Sequence, residues 1–377
     1  MTDQPIRTPG ESDRPDIVPT QYWHVLDDGR VQCDLCPRFC KLKEGQRGLC
    51  FVRGNDGGQV VLATYGRSSG FCIDPIEKKP LNHFLPGSPV LSFGTAGCNL
   101  ACKYCQNWDM TKARETDILA DYASPETVAR TAEAYGCRSI AYTYNDPIIF
   151  HEYAIDIAKA CRERGIRSVA VTSGYVSPEP RAEFYRYMDA ANIDLKAFSE
   201  EFYRTLTGGE LQPVLDTIRY IYHETDVWLE LTTLVIPGHN DSADEIAELS
   251  AWVRDELGPE VPLHFTAFHP DWKMTDTPPT PLATLRDARA IAREAGLHHV
   301  YLGNVLEPEG GVTRCHACGA EVIRRDGYTL THWGLESGGR CAQCGAVVSG
   351  VFEAEPGDWG SRRQPVRLAS EKGDSPV

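Results

Sequence analysis

The chain has 377 residues, with 38 basic against 53 acidic side chains, a formal net charge of −15, and 42% hydrophobic content. That composition suits one large core plus smaller modules, so two or three units are expected, and it excludes a disordered, collagenous or disulfide-stapled miniprotein. The charge argues against general affinity for nucleic-acid phosphates or anionic lipid, both bound through an excess of Lys and Arg, although a local basic patch is compatible with it.

Residues 1–20 are rich in Pro, Asp and Arg and lack periodicity, and the tail over 354–377 is similar, so both read as disordered. The chain opens without a basic stretch followed by an apolar one, and no run approaches the roughly 18 apolar residues of a membrane span, so a cytoplasmic location without a membrane is expected. Eleven of the 14 cysteines fall into three groups, and clustered thiols in a reducing compartment favour metal over disulfide. The first group lies in a Cys-rich extension over 21–88, as Cys33-x2-Cys36-x3-Cys40-x9-Cys50. Four thiolates suffice for one metal centre, but the irregular spacing does not choose between zinc and a second iron–sulfur cluster, and buried or substrate-facing thiols are the third reading. Cys72, Cys137 and Cys161 read as small buried residues.

Residues 89–305 alternate short apolar, β-branched runs with amphipathic helical stretches, the signature of repeated β-then-α units. Six candidate strands fall at 89–94, 139–144, 168–173, 192–195, 228–235 and 263–268, and an apolar run at 299–302 either closes the set or stands beside it. Ser124 with Pro125 makes an N-cap, Ser242 with Glu245 a capping-box pattern, and Gly136, Gly165 and Gly296 sit where helices should stop. Phe150, Tyr153, Ile157 and Cys161 share one helix face that packs on the sheet. About 215 residues is too short for a closed eight-unit barrel of about 250, so a partial barrel or an open parallel sheet is expected, with ligands at the C-terminal strand ends.

Directly after the first of these strands comes Gly97-Cys98-Asn99-Leu100-Ala101-Cys102-Lys103-Tyr104-Cys105. Three thiols spaced C-x3-C-x2-C can ligate three irons of a cubane and leave the fourth open to a small molecule. A three-ligand zinc and a redox or structural set of thiols are the competing readings. The motif resembles that of the radical S-adenosylmethionine (SAM) superfamily, C-x3-C-x-aromatic-C, with Tyr104 as the aromatic. The resemblance implies a [4Fe–4S] cluster on Cys98, Cys102 and Cys105, SAM chelated to the open iron, and reductive cleavage to a 5′-deoxyadenosyl radical that takes hydrogen from a substrate. Where the superfamily usually has Gly-Gly-Glu for the methionine amine, this chain has Thr143-Tyr144-Asn145-Asp146. Asn145 and Asp146 then either meet the ammonium group or form a turn and helix start with Pro147. Ser173, Asp194, Lys196 and His269 follow or end three further strands and, by the same resemblance, contact SAM; Asp194 pairing with Lys196, and His269 as a plain loop residue, are the alternatives. The segment 235–241 follows a strand and is expected to line the cavity.

Over 312–353, Cys315-x2-Cys318 and Cys341-x2-Cys344 make the two knuckles of a zinc-ribbon-like module, a segment too short to bury a core without its Zn²⁺. Docking of a partner or substrate and a stabilising cap are its two readings. With all three groups in view the chain is similar, over residues 22–353, to the radical enzyme of the AmmeMemoRadiSam system, akin to pyruvate formate-lyase activating enzymes. The resemblance rests on Cys36-Pro37-Arg38-Phe39-Cys40 with Gly48-Leu49-Cys50, on Phe268-His269-Pro270-Asp271 and on Leu302-Gly303-Asn304-Val305 running into the ribbon. It implies Memo-like and AMMECR1-like partner proteins, a reducing electron donor, and a small-molecule or protein substrate that the motifs do not name. The expected architecture is α/β: a partial (β/α)6 TIM-like barrel with the Cys-rich extension before it and the ribbon after it. The expected function is radical SAM chemistry, with activation of a glycyl-radical enzyme as its variant and a non-catalytic iron–sulfur and zinc scaffold or electron carrier as the alternative class.

Overall fold

The computed structural model describes residues 17–112 and 122–368. The expected disorder over 1–16 and 369–377 lies outside them. Residue 17 onwards is already ordered: β1 (Val18–Pro19), β2 (Trp23–Val25), β3 (Val31–Cys33), β4 (Lys41–Leu42), β5 (Arg53–Asp56) and β6 (Gln59–Leu62) form two three-stranded sheets, in the orders β1-β6-β5 and β2-β3-β4.

The central sheet begins with β7 (Ser69–Pro75) and β8 (Pro89–Gly94). After α1 (Trp108–Thr111) and α2 (Pro125–Ala134) come β9 (Ser139–Tyr142), α3 (His151–Arg162), β10 (Arg167–Thr172), α4 (Pro178–Tyr185) and β11 (Ala190–Asp194). The series continues through α5 (Glu200–Phe202), α6 (Gln212–Glu224), β12 (Trp228–Val235), α7 (Ala243–Leu257), β13 (Leu263–Ala267), α8 (Leu282–Glu294) and β14 (Val300–Gly303). The ribbon supplies β15 (Thr313–Arg314), β16 (Glu321–Asp326), β17 (Thr329–Trp333), β18 (Leu335–Glu336) and β19 (Arg340–Cys341), and β20 (Gln364–Pro365) closes the order.

Nine strands form the sheet β14-β13-β12-β11-β10-β9-β8-β7-β20. From β8 to β14 every pair is parallel and consecutive in sequence. Such β-α-β crossovers are right-handed, so a chain that always adds the next strand on the same side winds its helices onto one face. β9, β12 and β13 are almost wholly buried along their length, as parallel strands covered on both faces should be. The run at 299–302 joins the sheet as the strand beside β13, making seven parallel strands.

The local signals behave with one instructive departure. Ser124 accepts a bond from Thr127 N and Ser242 from Glu245 N, and Phe150, Tyr153, Ile157 and Cys161 are all buried. The Glu245 carboxylate, however, does not return to the Ser242 backbone; it accepts from Phe198 N at 2.8 Å, tying α7 to the loop after β11. Half of the capping box is used for tertiary anchoring.

Two expected boundaries are corrected. The Cys-rich extension does not end at residue 88, because β7 pairs antiparallel with β8, Ile73 opposite Leu91, and is part of the central sheet. Neither is the tail from 354 unordered throughout: β20 pairs with β7, Val366 N donates to Phe71 O at 2.9 Å, and Trp359 N donates to Gly87 O at 3.0 Å. Both segments are poor in apolar alternation, and what orders them is backbone pairing along a sheet edge. The ribbon docks on the segment between β7 and β8, through Leu85 N to Val351 O at 2.8 Å, Val351 N to His83 O at 2.7 Å, and Arg325 Nη2 to Asn82 O at 2.6 Å.

Candidate functional site

The C-terminal ends of the parallel strands open on a cavity of about 310 Å³, and Cys98, Cys102 and Cys105 all line it. Their loop is held on every side. Gly97 takes φ +83°, and a Cβ there would lie 1.9 Å from Cys50 O, so only glycine admits this approach of the two backbones. Asn145 bridges the loop, accepting from Thr95 N at 3.3 Å and donating to Gly97 O at 2.9 Å. Ala101 N and Lys103 N donate to Thr207 O and Leu206 O, and Lys273 N caps Lys103 O at 3.0 Å. These bonds anchor the backbone of a partly exposed loop on both sides of Cys102.

The three thiols are free, and burial pushes that of Cys98 up to about 12, with the Asp146 carboxylate next in effect. Burial also raises Cys102, against the pull of Lys196. Metal binding at such a site would release protons. Among the described residues, the His, Cys, Asp and Glu groups of three or more whose ligand atoms all fall within 4.8 Å of one another are Cys315/Cys318/Cys341/Cys344 and Glu260/His298/His316. At least one pair of the three loop thiols therefore stands more than 4.8 Å apart, wider than ligands of one ion and compatible with ligands to separate irons. Two further atoms fit a polar cofactor. The hydroxyls of Tyr104 and Thr232, both of which line the cavity, are buried without a hydrogen-bond partner among the described residues. An unmet buried hydroxyl costs about 1–3 kcal/mol, which a ligand can recover.

Most of the polar residues expected from sequence meet here, in altered roles. Asp146 lines the cavity, but its carboxylate already accepts from Thr172 Oγ1 at 3.0 Å, Ser173 N at 2.9 Å, Ser173 Oγ, and Ile148 N at 3.1 Å. It is the N-cap of the 3₁₀ turn Pro147–Phe150 and the residue that orients Ser173. Burial raises its pKa, opposed by those bonds. Asp194 and Lys196 also line the cavity and pair at 2.9 Å. Burial pulls the Lys196 ammonium down, but Asp194, then the Cys102 thiol and Tyr104, carry it well above its ordinary value, so it is a fixed positive charge beside the cysteine loop.

Two expectations fail. His269 is exposed and is not among the residues lining the cavity, since the chain turns outward there. Three residues on, Trp272, at φ +50°, stacks on Trp108 with ring centroids 4.9 Å apart, and neither ring is among the residues lining the cavity. The segment 235–241 is a buttress, not a wall. Asn240 accepts from Ile236 N at 2.6 Å and donates to Lys196 O at 2.7 Å and Leu234 O at 2.9 Å, fixing the backbone under the lysine.

Sequence reasoning missed Thr232, Leu234, Thr266 and Asn304, all cavity-lining. Thr232 and Leu234 alternate on one face of β12, and Thr266 stands opposite Leu234 in the register. Extending the period-two reading inward from each strand end would have found the three strand residues. Tyr144, also lining, takes φ +69°, where the resembled motif carries glycine.

The other cysteine groups do not line this cavity. Cys33, Cys36, Cys40 and Cys50 line a second, small cavity. In the ribbon, Cys315 and Cys344 stand 3.6 Å apart and Cys318 and Cys341 3.8 Å apart. A tetrahedral ion with bonds of about 2.3 Å to sulfur would separate its thiolates by about 3.8 Å, so the four are spaced for one metal.

Comparison with known proteins follows the same lines. Residues 93–250 match the Radical SAM superfamily. The uncharacterized protein MJ0808 of Methanocaldococcus jannaschii is 41% identical over 332 residues, 88% of this chain and 98% of that protein. The pyruvate formate-lyase 1-activating enzyme of Escherichia coli is 24% identical over 227 residues, 56% of this chain and 91% of its own. Among solved structures, a domain of the pyruvate-formate lyase-activating enzyme from Bacteroides vulgatus aligns with a TM-score of 0.39 at 21% identity, covering 44% of this chain and 98% of that domain. Among the described residues no helix is long and apolar enough to cross a membrane. The superfamily match takes in the three-cysteine loop and the strands that carry it, a relative at 41% identity runs nearly the length of the chain, and the chain belongs to the radical SAM superfamily.

Proposed function

We propose that this chain is an enzyme that reductively cleaves SAM in the cavity over β8–β14, of which β8–β13 with their helices are read as a partial (β/α)6 barrel and β14 as a seventh strand at its edge. The observation that carries the reading is the set of three wide-spaced thiols at the C-terminal edge of a parallel sheet, facing a cavity with two unmet hydroxyls. A [4Fe–4S] cluster bound there supplies the electron that splits SAM into methionine and a 5′-deoxyadenosyl radical able to take hydrogen from substrate. Cys98, Cys102 and Cys105 hold the cluster, Gly97 and Asn145 fix their loop, and Tyr104 and Thr232 offer hydroxyls to polar groups of SAM. Ser173, oriented by Asp146, and the Asp194–Lys196 pair complete the polar wall. The ribbon thiols hold a structural Zn²⁺, and Memo-like and AMMECR1-like proteins are the partners this reading proposes.

The test is anaerobic reconstitution, reduction, and addition of SAM. Formation of 5′-deoxyadenosine above that of a Cys98→Ala, Cys102→Ala, Cys105→Ala variant supports the reading, and equal traces from both would end it. Similarity to activating enzymes for pyruvate formate-lyase and 4-hydroxyphenylacetate decarboxylase favours a second reading, hydrogen abstraction from a backbone glycine of a partner. That reading requires an EPR signal on the partner polypeptide after turnover.

A further inference from the structure

One group of four thiols is used neither by the proposed reaction nor by the ribbon. Cys33 ends β3, Cys36 and Cys40 lie in the turn before β4, and Cys50 precedes β5, yet all four line one small cavity together with Arg38, Arg53 and Asn99. None forms a disulfide. Cysteines that serve only as small core residues pack wherever they fall and have no reason to converge from separate stretches of chain.

The surroundings are cationic. Arg53 is 2% exposed and acts on both Cys33 and Cys50, with Glu152 as its carboxylate partner. Arg38 lines the cavity with a buried Nη2 that has no hydrogen-bond partner among the described residues. Arg47, also buried, bonds Phe51 O, one residue past Cys50, and leaves its Nε unpartnered. Glu152 compensates Arg53, but the buried Arg47 has no carboxylate partner among the described residues; a buried guanidinium needs compensating negative charge, and neutral thiols provide none. Four thiolates around a metal centre provide it.

Spacing argues against a single ion. The ribbon thiols at 3.6 and 3.8 Å show what this chain does for a single ion. Among the described residues no three thiols of the Cys33 group come within 4.8 Å of one another, and the same holds for Cys98, Cys102 and Cys105. Ligands to different irons of a cluster stand further apart than ligands of one ion. We infer that Cys33, Cys36, Cys40 and Cys50 hold a second iron–sulfur cluster. It backs directly onto the first site, through the close approach of Gly97 to Cys50 O and through Arg38 Nε, which donates to Asn99 O at 2.8 Å between Cys98 and Cys102.

The experiment uses the full chain with Cys98, Cys102 and Cys105 changed to Ala, so the result does not depend on whether the central site binds a cluster. After anaerobic reconstitution with iron and sulfide, about four irons per chain should remain, with an EPR signal on reduction. Adding Cys36→Ser and Cys40→Ser should remove that iron and leave zinc in the ribbon. Zinc alone, or no metal, at the Cys33 group of the triple variant overturns the inference. Should the triple variant fail to fold, the Cys36→Ser, Cys40→Ser chain with the central site intact decides. A fall from about eight to about four irons supports the second cluster, and an unchanged iron count overturns it.

Discussion

Tyr104 carries a hydroxyl that folding leaves unmet. Its ring packs against Phe202 with centroids 5.8 Å apart, while the oxygen is buried in the cavity wall. Tyr104→Phe should therefore act in two directions at once. Removing the unsatisfied group stabilises the free chain by about 1 kcal/mol or more, read as a higher urea midpoint, and weakens SAM binding several-fold, read by equilibrium dialysis. A gain in stability with unchanged SAM affinity would show that the hydroxyl serves no ligand. Gly97 is the opposite kind of residue, constrained by backbone. A Cβ at Gly97 costs about 1–2 kcal/mol from the left-handed conformation alone, and it must also displace the Cys50 carbonyl 1.9 Å away. Gly97→Ala should lower both the urea midpoint and the iron bound after reconstitution, and an unaffected iron content would mean that the loop tolerates the shift.

At the scale of elements, strands announce themselves where burial dictates their composition. The parallel strands, covered on both faces, are legible as apolar runs to within two residues at either end, and the three-cysteine loop is legible because chemistry fixes its spacing. β7 and β20 were not legible, since backbone pairing at a sheet edge demands little of the side chains. His269 failed for a related reason. Position after a strand says that a residue is near the rim, but the turn beyond Phe268 decides which way it faces. The ribbon is legible from its four cysteines and dependent on them. Its buried cluster, Val322, Ile323, Leu335 and Val348 around Cys315 and Cys341, is small. A structural zinc contributes about 10–16 kcal/mol of apparent binding energy in such modules. Cys341→Ala with Cys344→Ala should remove about one zinc per chain, measured by elemental analysis, and expose the ribbon to protease while the iron of the central site stays. Loss of iron in its place would overturn the zinc assignment.

Across the whole molecule, the ribbon and the sheet meet at one buried polar junction. Glu230 on β12 is fully buried and accepts from Asn82 N at 2.9 Å, His83 N at 2.7 Å and Trp228 Nε1 at 3.0 Å, with His264 Nε2 at 2.7 Å. Burial alone would raise its pKa, but the His264 bond and the other donors bring it down to about 2 from 4.5. His83 lies on the segment that Glu230 holds and that the ribbon docks on. Its Nδ1–H donates to Ser349 O at 2.7 Å, so Nε2 accepts from the Tyr301 hydroxyl at 2.6 Å and the ring is neutral. Burial, then His299, lowers its pKa from 6.5 to about 3. Both shifts work in the same sense. The unfolded chain takes up a proton on His83 below 6.5 and on Glu230 below 4.5, where the folded chain resists both, so stability falls with acid, first gently and then steeply. The contribution of Glu230 is complete above 4.5 and lost as the pH falls through about 2. Glu230→Gln, which cannot accept all four bonds, should be clearly less stable than the wild type at neutral pH, and the gap between their urea midpoints should narrow as the pH falls below 4.5. A gap of the same size at every pH would mean that the carboxylate charge contributes nothing at this junction, and that packing and the hydrogen bonds of Leu85, Val351 and Arg325 join the ribbon to the sheet without it.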